Sequence, residues 1–320
     1  MGNDNLRKNE MVKDLNEKFE GYRKKGRVEF ITFHPSYSYE EFIEGITVET
    51  RGENMPCEKL QYNLKPGIFK NLCKRALAAA IGLPQDDADT KTWREVYQEY
   101  RKETVDFENA PKYVLIIDEI NRGDMAKIFG ELITLLESDK RIDGENELIV
   151  KLPNSNDSFG VPPNLYIIAT MNTADRSIAL LDIALRRRFG FIEMNPDFNI
   201  LKIQHIEENK DEFESGVYDL LIKSMNAIQK INQKICSDQS IGRDRQVGHS
   251  FLFKVYTISD LLLVWKHEIL PLLEEYCYSD YKKINRILFN KDSDTKWISE
   301  SEGIRDIDNL NEMLEAILKE

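Results

Sequence analysis

The sequence predicts an α/β core built on a parallel sheet, followed by a mostly helical domain. Three observations carry that prediction. Val114 to Ile117, preceded by Tyr113, is an unbroken β-branched and leucine run, the pattern of a strand buried on both faces of a parallel sheet. Residues 164–172 (NLYIIATMN) repeat it about fifty residues later. From residue 197 onward the apolar spacing turns helical, over 198–213, 215–236, 257–276 and 306–319. The expected domains are therefore 1–196 and 197–320.

Length and charge bound the function. A chain of 320 residues can bury one large core or two smaller ones. Its 44 basic and 56 acidic residues leave a net charge of −12, so it is no general polyanion binder. Cys57, Cys73, Cys236 and Cys277 are widely spaced, without a C-x-x-C pair, and read as buried thiols of a reducing cytosol rather than zinc ligands or disulfides. No apolar run reaches spanning length, so the expected location is cytoplasmic, away from any membrane.

Taken in order, Met11, Val12, Leu15, Phe19 and Tyr22 mark an amphipathic helix. The following Gly21 to Val28 resembles a phosphate-binding loop only superficially. Arg27 and Val28 stand where a lysine and a hydroxyl are needed, and the segment leaves a helix for a strand, the reverse of that loop. Residues 28–34 read as a strand, and Ser38 as the cap of a short helix carrying Tyr39, Phe42 and Ile43. Residues 46–63 look irregular. Ile68, Phe69, Leu72, Cys73, Ala76 and Leu77 share one helical face. Residues 82–111 read as a surface insertion, with a loop over 84–89 and a helix from Trp93 to Tyr100. One helix is expected over 125–137, part of a hairpin over 147–152, and a third strand over 189–194. Asp175 or Ser177 could cap a helix that ends in Arg186, Arg187 and Arg188, where cations suit the helix dipole.

Asp118 and Glu119 follow the first buried strand directly. Ligands bind beyond the carboxyl ends of strands in open α/β sheets, and two acids there suit nucleoside triphosphate hydrolysis. One holds a hydrated Mg²⁺ against the phosphates, while the other orients and deprotonates the attacking water. The plainer alternative makes Asp118 a helix cap and Glu119 a solvated acid. His205 and His267 are isolated, and His34 and His249 read as packing residues. Asp87, Asp89 and Lys91 have nuclease-like spacing but lie in a polar stretch without flanking strands.

Four segments together resemble a known family: Phe33 to Gly45 (FHPSYSYEEFIEG), Ile116 to Arg122 (IIDEINR), Met171 to Ser177 (MNTADRS) and Ala184 to Phe189 (ALRRRF). The chain is similar to McrB-type AAA+ subunits of modification-dependent (5-methylcytosine) restriction systems, from about residue 28 to the end apart from the insertion. The resemblance implies an AAA+ parallel-sheet P-loop NTPase core with an α-helical lid domain, acting on GTP or ATP with Mg²⁺. It implies that Asp118 serves the metal, Glu119 polarises water, and Asn172 senses the γ-phosphate. Asp175 and Arg176 would belong to an interface loop. Arg187 and Arg188 would be arginine fingers acting in a neighbour's site, with one or two of the three arginines structural. Arg243 or Arg245 would be a second sensor. It further implies a ring, hexameric when complete, a separate McrC-like endonuclease subunit, and DNA contact through a domain outside this chain. One departure stands out: no Gly-x-x-x-x-Gly-Lys-Ser/Thr occurs in the 320 residues. The expectation is an N-terminally truncated core, lacking the strand between the 164–172 and 189–194 strands and weakly active or inactive alone. The competing expectation is a non-hydrolysing assembly module.

Overall fold

A computed structural model describes residues 2–50, 60–174, 183–305, 307 and 309–319. The chain divides into two compact units, Met1–Gly190 and Phe191–Glu320, so the second begins at 191 rather than at the expected 197.

In the first unit α1 (Gly2–Lys24) ends at Gly26, whose φ of +60° suits a glycine, and Arg27 N–H closes on Tyr22 O at 3.0 Å. Next come β1 (Val28–Thr32) and α2 (Tyr39–Phe42), the latter opened by a reciprocal cap between Ser38 and Glu41. The stretch expected to be irregular is a hairpin, β2 (Glu44–Thr50) against β3 (Leu60–Pro66), with Ile46 opposite Leu64 and Thr47 opposite Asn63. Period-two alternation at Ile46, Tyr62 and Leu64 was the signal for it. α3 (Ile68–Ala80) starts where Gly67 passes Phe42; a Cβ there would sit 2.3 Å from the Phe42 carbonyl carbon.

Residues 82–111 are not a loose insertion. They form α4 (Gln85–Thr90), where a loop was expected, and α5 (Trp93–Tyr100), and they bury Ala88, Trp93, Val96, Phe107 and Ala110 in the core. Trp93 Nε1 donates to Ser158 O at 2.7 Å, satisfying the indole as it is buried.

β4 (Tyr113–Asp118) leads to α6 (Met125–Phe129). The single helix expected over 125–137 breaks at Gly130, with φ +52°, and continues as 3-10 turns to Leu136. The Tyr39 ring packs at the break, and its hydroxyl donates to Glu131 at 2.9 Å. A small hairpin follows, β5 (Val150–Lys151) with β6 (Ser158–Phe159), then β7 (Leu165–Ala169) and α7 (Ile183–Arg186).

The sheet is parallel in the order β1-β4-β7, with β4 central. Ile31, Leu115, Ile117 and Leu165 bury one face. On the other face Phe30, Tyr166 and Ile168 are 59, 50 and 56% exposed, so β4 is not covered on both sides as its sequence suggests. The strand expected over 189–194 does not form. Residues 191–197 join no ladder among the described residues, and Ile192 and Met194 are 86 and 90% exposed. Without a neighbouring edge, an apolar run has no partner for its backbone groups.

The second unit is helical: α8 (Phe198–Leu201), α9 (Val217–Ser237), α10 (Ile258–Val264), α11 (Leu270–Tyr276), α12 (Tyr281–Phe289) and α13 (Leu310–Lys319). A π stretch over 265–269 joins α10 to α11 and leads into Pro271, which cannot donate to an α-helical ladder. α12 and the short hairpin β8 (Ile298–Ser299) with β9 (Gly303–Ile304) were not expected. Trp265 is fully buried at the core and donates to Ser224 Oγ at 3.0 Å. Cys73 and Cys277 are buried, and burial pushes the Cys277 thiol up to about 11; Cys236 is exposed, contrary to expectation, and Cys57 lies outside the described residues. Among the described residues no helix is long and apolar enough to cross a membrane.

A buried charge cluster fastens the β2 hairpin to the β5–β6 turn. Lys70 Nζ donates to Glu44 at 2.6 Å, Asp157 at 2.9 Å and Ser155 at 3.2 Å, while Glu44 accepts the backbone N–H groups of Asn154 and Ser155. Burial alone would push the Glu44 and Asp157 carboxyls up. Hydrogen bonds and charge from Lys70, with Ser155 and, for Asp157, Arg94, override it and hold both below their ordinary values. Such groups stabilise the fold above the ordinary carboxylate range, and that contribution is lost as pH falls through the lowered values. Lys70→Ala is expected to cost about 3 kcal/mol or more at neutral pH, measured by urea unfolding, because it strands two buried carboxylates. The difference from wild type narrows on acidification.

Candidate functional site

Parallel pairing sets the carboxyl ends of β4 and β7 side by side, and Thr170 stitches them. Its N–H donates to Ile117 O at 2.9 Å, and its carbonyl accepts from Ile120 N–H at 2.9 Å. Its hydroxyl donates to Asp118 Oδ1 at 2.5 Å and accepts from Glu119 N–H at 3.2 Å. One threonine thus fixes both acids. On the other side, Asp118 O accepts from Phe33 N–H at 2.9 Å, tying the site to the end of β1.

Glu119 has φ 53° and ψ 46°, the left-handed region. For a residue with a Cβ this costs roughly 1–2 kcal/mol. Strain of this kind collects at functional sites and persists where surrounding bonds hold it. Here the holding bonds are those to Thr170, and the result is a reversal of the chain into a 3-10 turn over Ile120–Arg122. Asn121 Nδ2 donates to Asn172 O at 3.1 Å, and Asn172 Oδ1 accepts from Ala174 N–H at 3.0 Å. Asp118, Glu119 and Asn172 therefore meet at one end of the sheet. Thr170 and Asn121 organise them; Asn121 lies inside the segment 116–122, and Thr170 in the apolar run 164–172, one residue before the segment 171–177.

The other predicted residues are distributed differently. Asp175 and Arg176 lie outside the described residues. Arg187 is exposed and makes no hydrogen bond or ion pair among the described residues, whereas Arg188 is only 13% exposed and pairs with Glu137 at 2.7 Å. In the second unit Arg243 is exposed and grips both oxygens of Glu193, at 2.5 and 2.6 Å. Arg245 is buried against the rings of Tyr276 and Tyr278, at 5.3 and 5.7 Å. Of that pair Arg243 keeps the accessible guanidinium. His205 is buried, hydrogen-bonded to Val255 O and ringed by Phe213, Phe253 and Tyr256. Burial holds its imidazole below the ordinary histidine value. His249 accepts from Asp197 N–H at 3.1 Å. His249 packs against Phe198 and Phe253, in line with the packing role expected of it, and His205, read only as isolated, proves to be a packing residue too. Asp89 pairs with Arg75 and Lys91 with Glu99, so the nuclease-like spacing is taken up in ion pairs.

The donor set at this sheet end fits a Mg²⁺ shared with a ligand rather than one caged by protein alone. Among the described residues no three His, Cys, Asp or Glu side chains gather into a cage. With Oδ1 engaged by Thr170, Asp118 has a second oxygen to offer. One carboxylate beside a phosphate-bearing ligand and water suits Mg²⁺, which is rarely held by protein alone.

Residues 6–189, more than half of the chain, match the AAA domain of the dynein-related subfamily, and residues 223–285 match the α-helical lid domain of McrB. The chain belongs to the AAA+ family, in its McrB type. The family accounts for a parallel sheet with acids at its carboxyl ends and a helical lid after it. It is 36% identical over 267 residues to the "Type IV methyl-directed restriction enzyme EcoKMcrB subunit" of Escherichia coli K12, covering 80% of this chain and 49% of that protein. It is also 36% identical over 90 residues to the "Type II restriction enzyme BsuMI component YdiS" of Bacillus subtilis 168, covering 25% of this chain and 26% of that protein. The chain thus spans about half the length of the E. coli relative.

Thr170→Val keeps the shape and removes the hydroxyl, leaving Glu119 N–H without its acceptor. A loss of about 1–2 kcal/mol is expected in urea unfolding, with Thr170→Ser close to wild type.

Proposed function

We propose that this chain is an NTP-hydrolysing AAA+ motor subunit of a DNA restriction system, using GTP or ATP and driving a separate endonuclease subunit. The observation that carries the reading is the pairing of Asp118 and Glu119 at the end of the central strand, both fixed by Thr170 beside Asn172. Asp118 would hold Mg²⁺, which supplies charge neutralisation at the phosphates when bound. Glu119 orients the attacking water and takes its proton, and Asn172 hydrogen-bonds the water or γ-phosphate. The strained turn supports this by holding the glutamate in place before substrate arrives.

Arg187, exposed at the end of α7, is the arginine finger for a neighbouring copy, stabilising charge on the transferred phosphoryl group. Arg188 would have to release Glu137 to join it. By the family resemblance Asp175 and Arg176 would belong to the same interface, and Arg243, whose guanidinium is exposed, would serve as second sensor in preference to the buried Arg245. Action in trans requires a closed head-to-tail ring, for which a hexamer is the proposed size. DNA would be read by a domain outside these residues, in the cytoplasm.

A second reading, a non-hydrolysing ring or assembly module, is favoured by one observation. No Gly-x-x-x-x-Gly-Lys-Ser/Thr loop occurs in the 320 residues, and the backbone cradle for the β- and γ-phosphates is part of that loop. The test is GTP and ATP hydrolysis by the protein translated from its whole reading frame. Mg²⁺-dependent turnover is expected, falling roughly a hundredfold or more in Glu119→Gln with nucleotide binding retained. Assembly without turnover means the second reading.

A further inference from the structure

Arg122 is the one residue of the reversed turn whose side chain meets the Glu119 carboxylate. Its Nε lies 3.1 Å from Glu119 Oε2, an oxygen shielded from water. Nε and Oε2 are not aligned as a hydrogen bond, so the contact is one of charge. The backbone explains why the two meet. The left-handed conformation at Glu119 turns the chain back, and Arg122 N–H closes on Glu119 O at 2.9 Å, bringing residue 122 over residue 119. Glu119 is thereby held at two points, its N–H on Thr170 Oγ1 and its carboxylate against Arg122.

We propose that Arg122 is a positioning residue for Glu119, limiting the glutamate's rotamers so that its carboxylate faces the reacting end of the site. This rests on the hydrolytic reading above. Arginine suits the task because its charge is permanent and its planar fork is pre-organised. Glu119 is 27% and Arg122 45% exposed, so the pair contributes little to fold stability. Its effect falls on the reaction: a glutamate free to rotate spends less time oriented toward water.

The test uses the protein translated from its whole reading frame, with steady-state hydrolysis of GTP and ATP. Arg122→Ala is expected to lower kcat by roughly tenfold or more, because misorienting a reacting group slows the chemical step, with KM unchanged. Arg122→Lys, which keeps the charge, restores part of it. In the Glu119→Gln background Arg122→Ala causes no further loss, because it acts through the carboxylate already removed. Equal losses in both backgrounds, a change confined to KM, or an unchanged kcat would each overturn the positioning role and leave the hydrolytic reading standing. A wild-type protein that turns over neither nucleotide overturns both.

Discussion

The site depends on a single pairing, β4 against β7 in parallel register, closed at its end by Thr170. The register sets Ile117 opposite Ala169, so Thr170 falls beside Asp118 and Glu119. A shift of one residue would send the threonine hydroxyl to the opposite face and leave both acids without their shared partner. The strain at Glu119 follows from the same pairing. The turn cannot relax to an ordinary helical start while its first two N–H groups are held by Thr170. Two neutral-group hydrogen bonds, each worth about 1 kcal/mol, are of the right size to offset a left-handed residue.

The rest of the first unit keeps that strand pair rigid from behind. Ile31, Leu115, Ile117 and Leu165 pack on one face, and the Phe42, Phe69 and Phe129 rings meet with centroids 4.7 to 5.9 Å apart. The Lys70 cluster then ties two hairpins to the same body, at a desolvation cost that only its full set of hydrogen bonds offsets. The opposite face is different. Phe30, Tyr166 and Ile168 leave large apolar side chains exposed there.

The sequence made legible the features with a strong local pattern. The β4 and β7 runs are short, apolar and continuous, and the acids at the end of β4 stand out because they close an uncharged run from Tyr113 to Ile117. Asn172 could be read for the same reason. What escaped was set by tertiary context. The β2–β3 hairpin hides its alternation behind Gly45, Thr47 and Asn63. α4 is mostly polar after Pro84, and its packing shows only in tertiary contacts, the burial of Ala88 and the ion pair of Asp89 with Arg75. Gly130 breaks a helix whose apolar spacing continues without a flaw, because Tyr39 arrives from 92 residues away to meet Glu131. Thr170 read as one more residue of a strand, since its value lies in what stands across the ladder. Among Arg186, Arg187 and Arg188 the sequence offers no distinction, and the ion pair with Glu137 supplies one.

The central claim is that the ends of β4 and β7 form one nucleotide-responsive unit. Amide hydrogen exchange on the whole-reading-frame protein, with and without Mg²⁺ and a non-hydrolysable GTP or ATP analogue, tests it most directly. The account predicts that residues 118–122 and 170–174 slow together when the analogue binds. Binding that leaves both stretches unchanged, or slows one without the other, would contradict it.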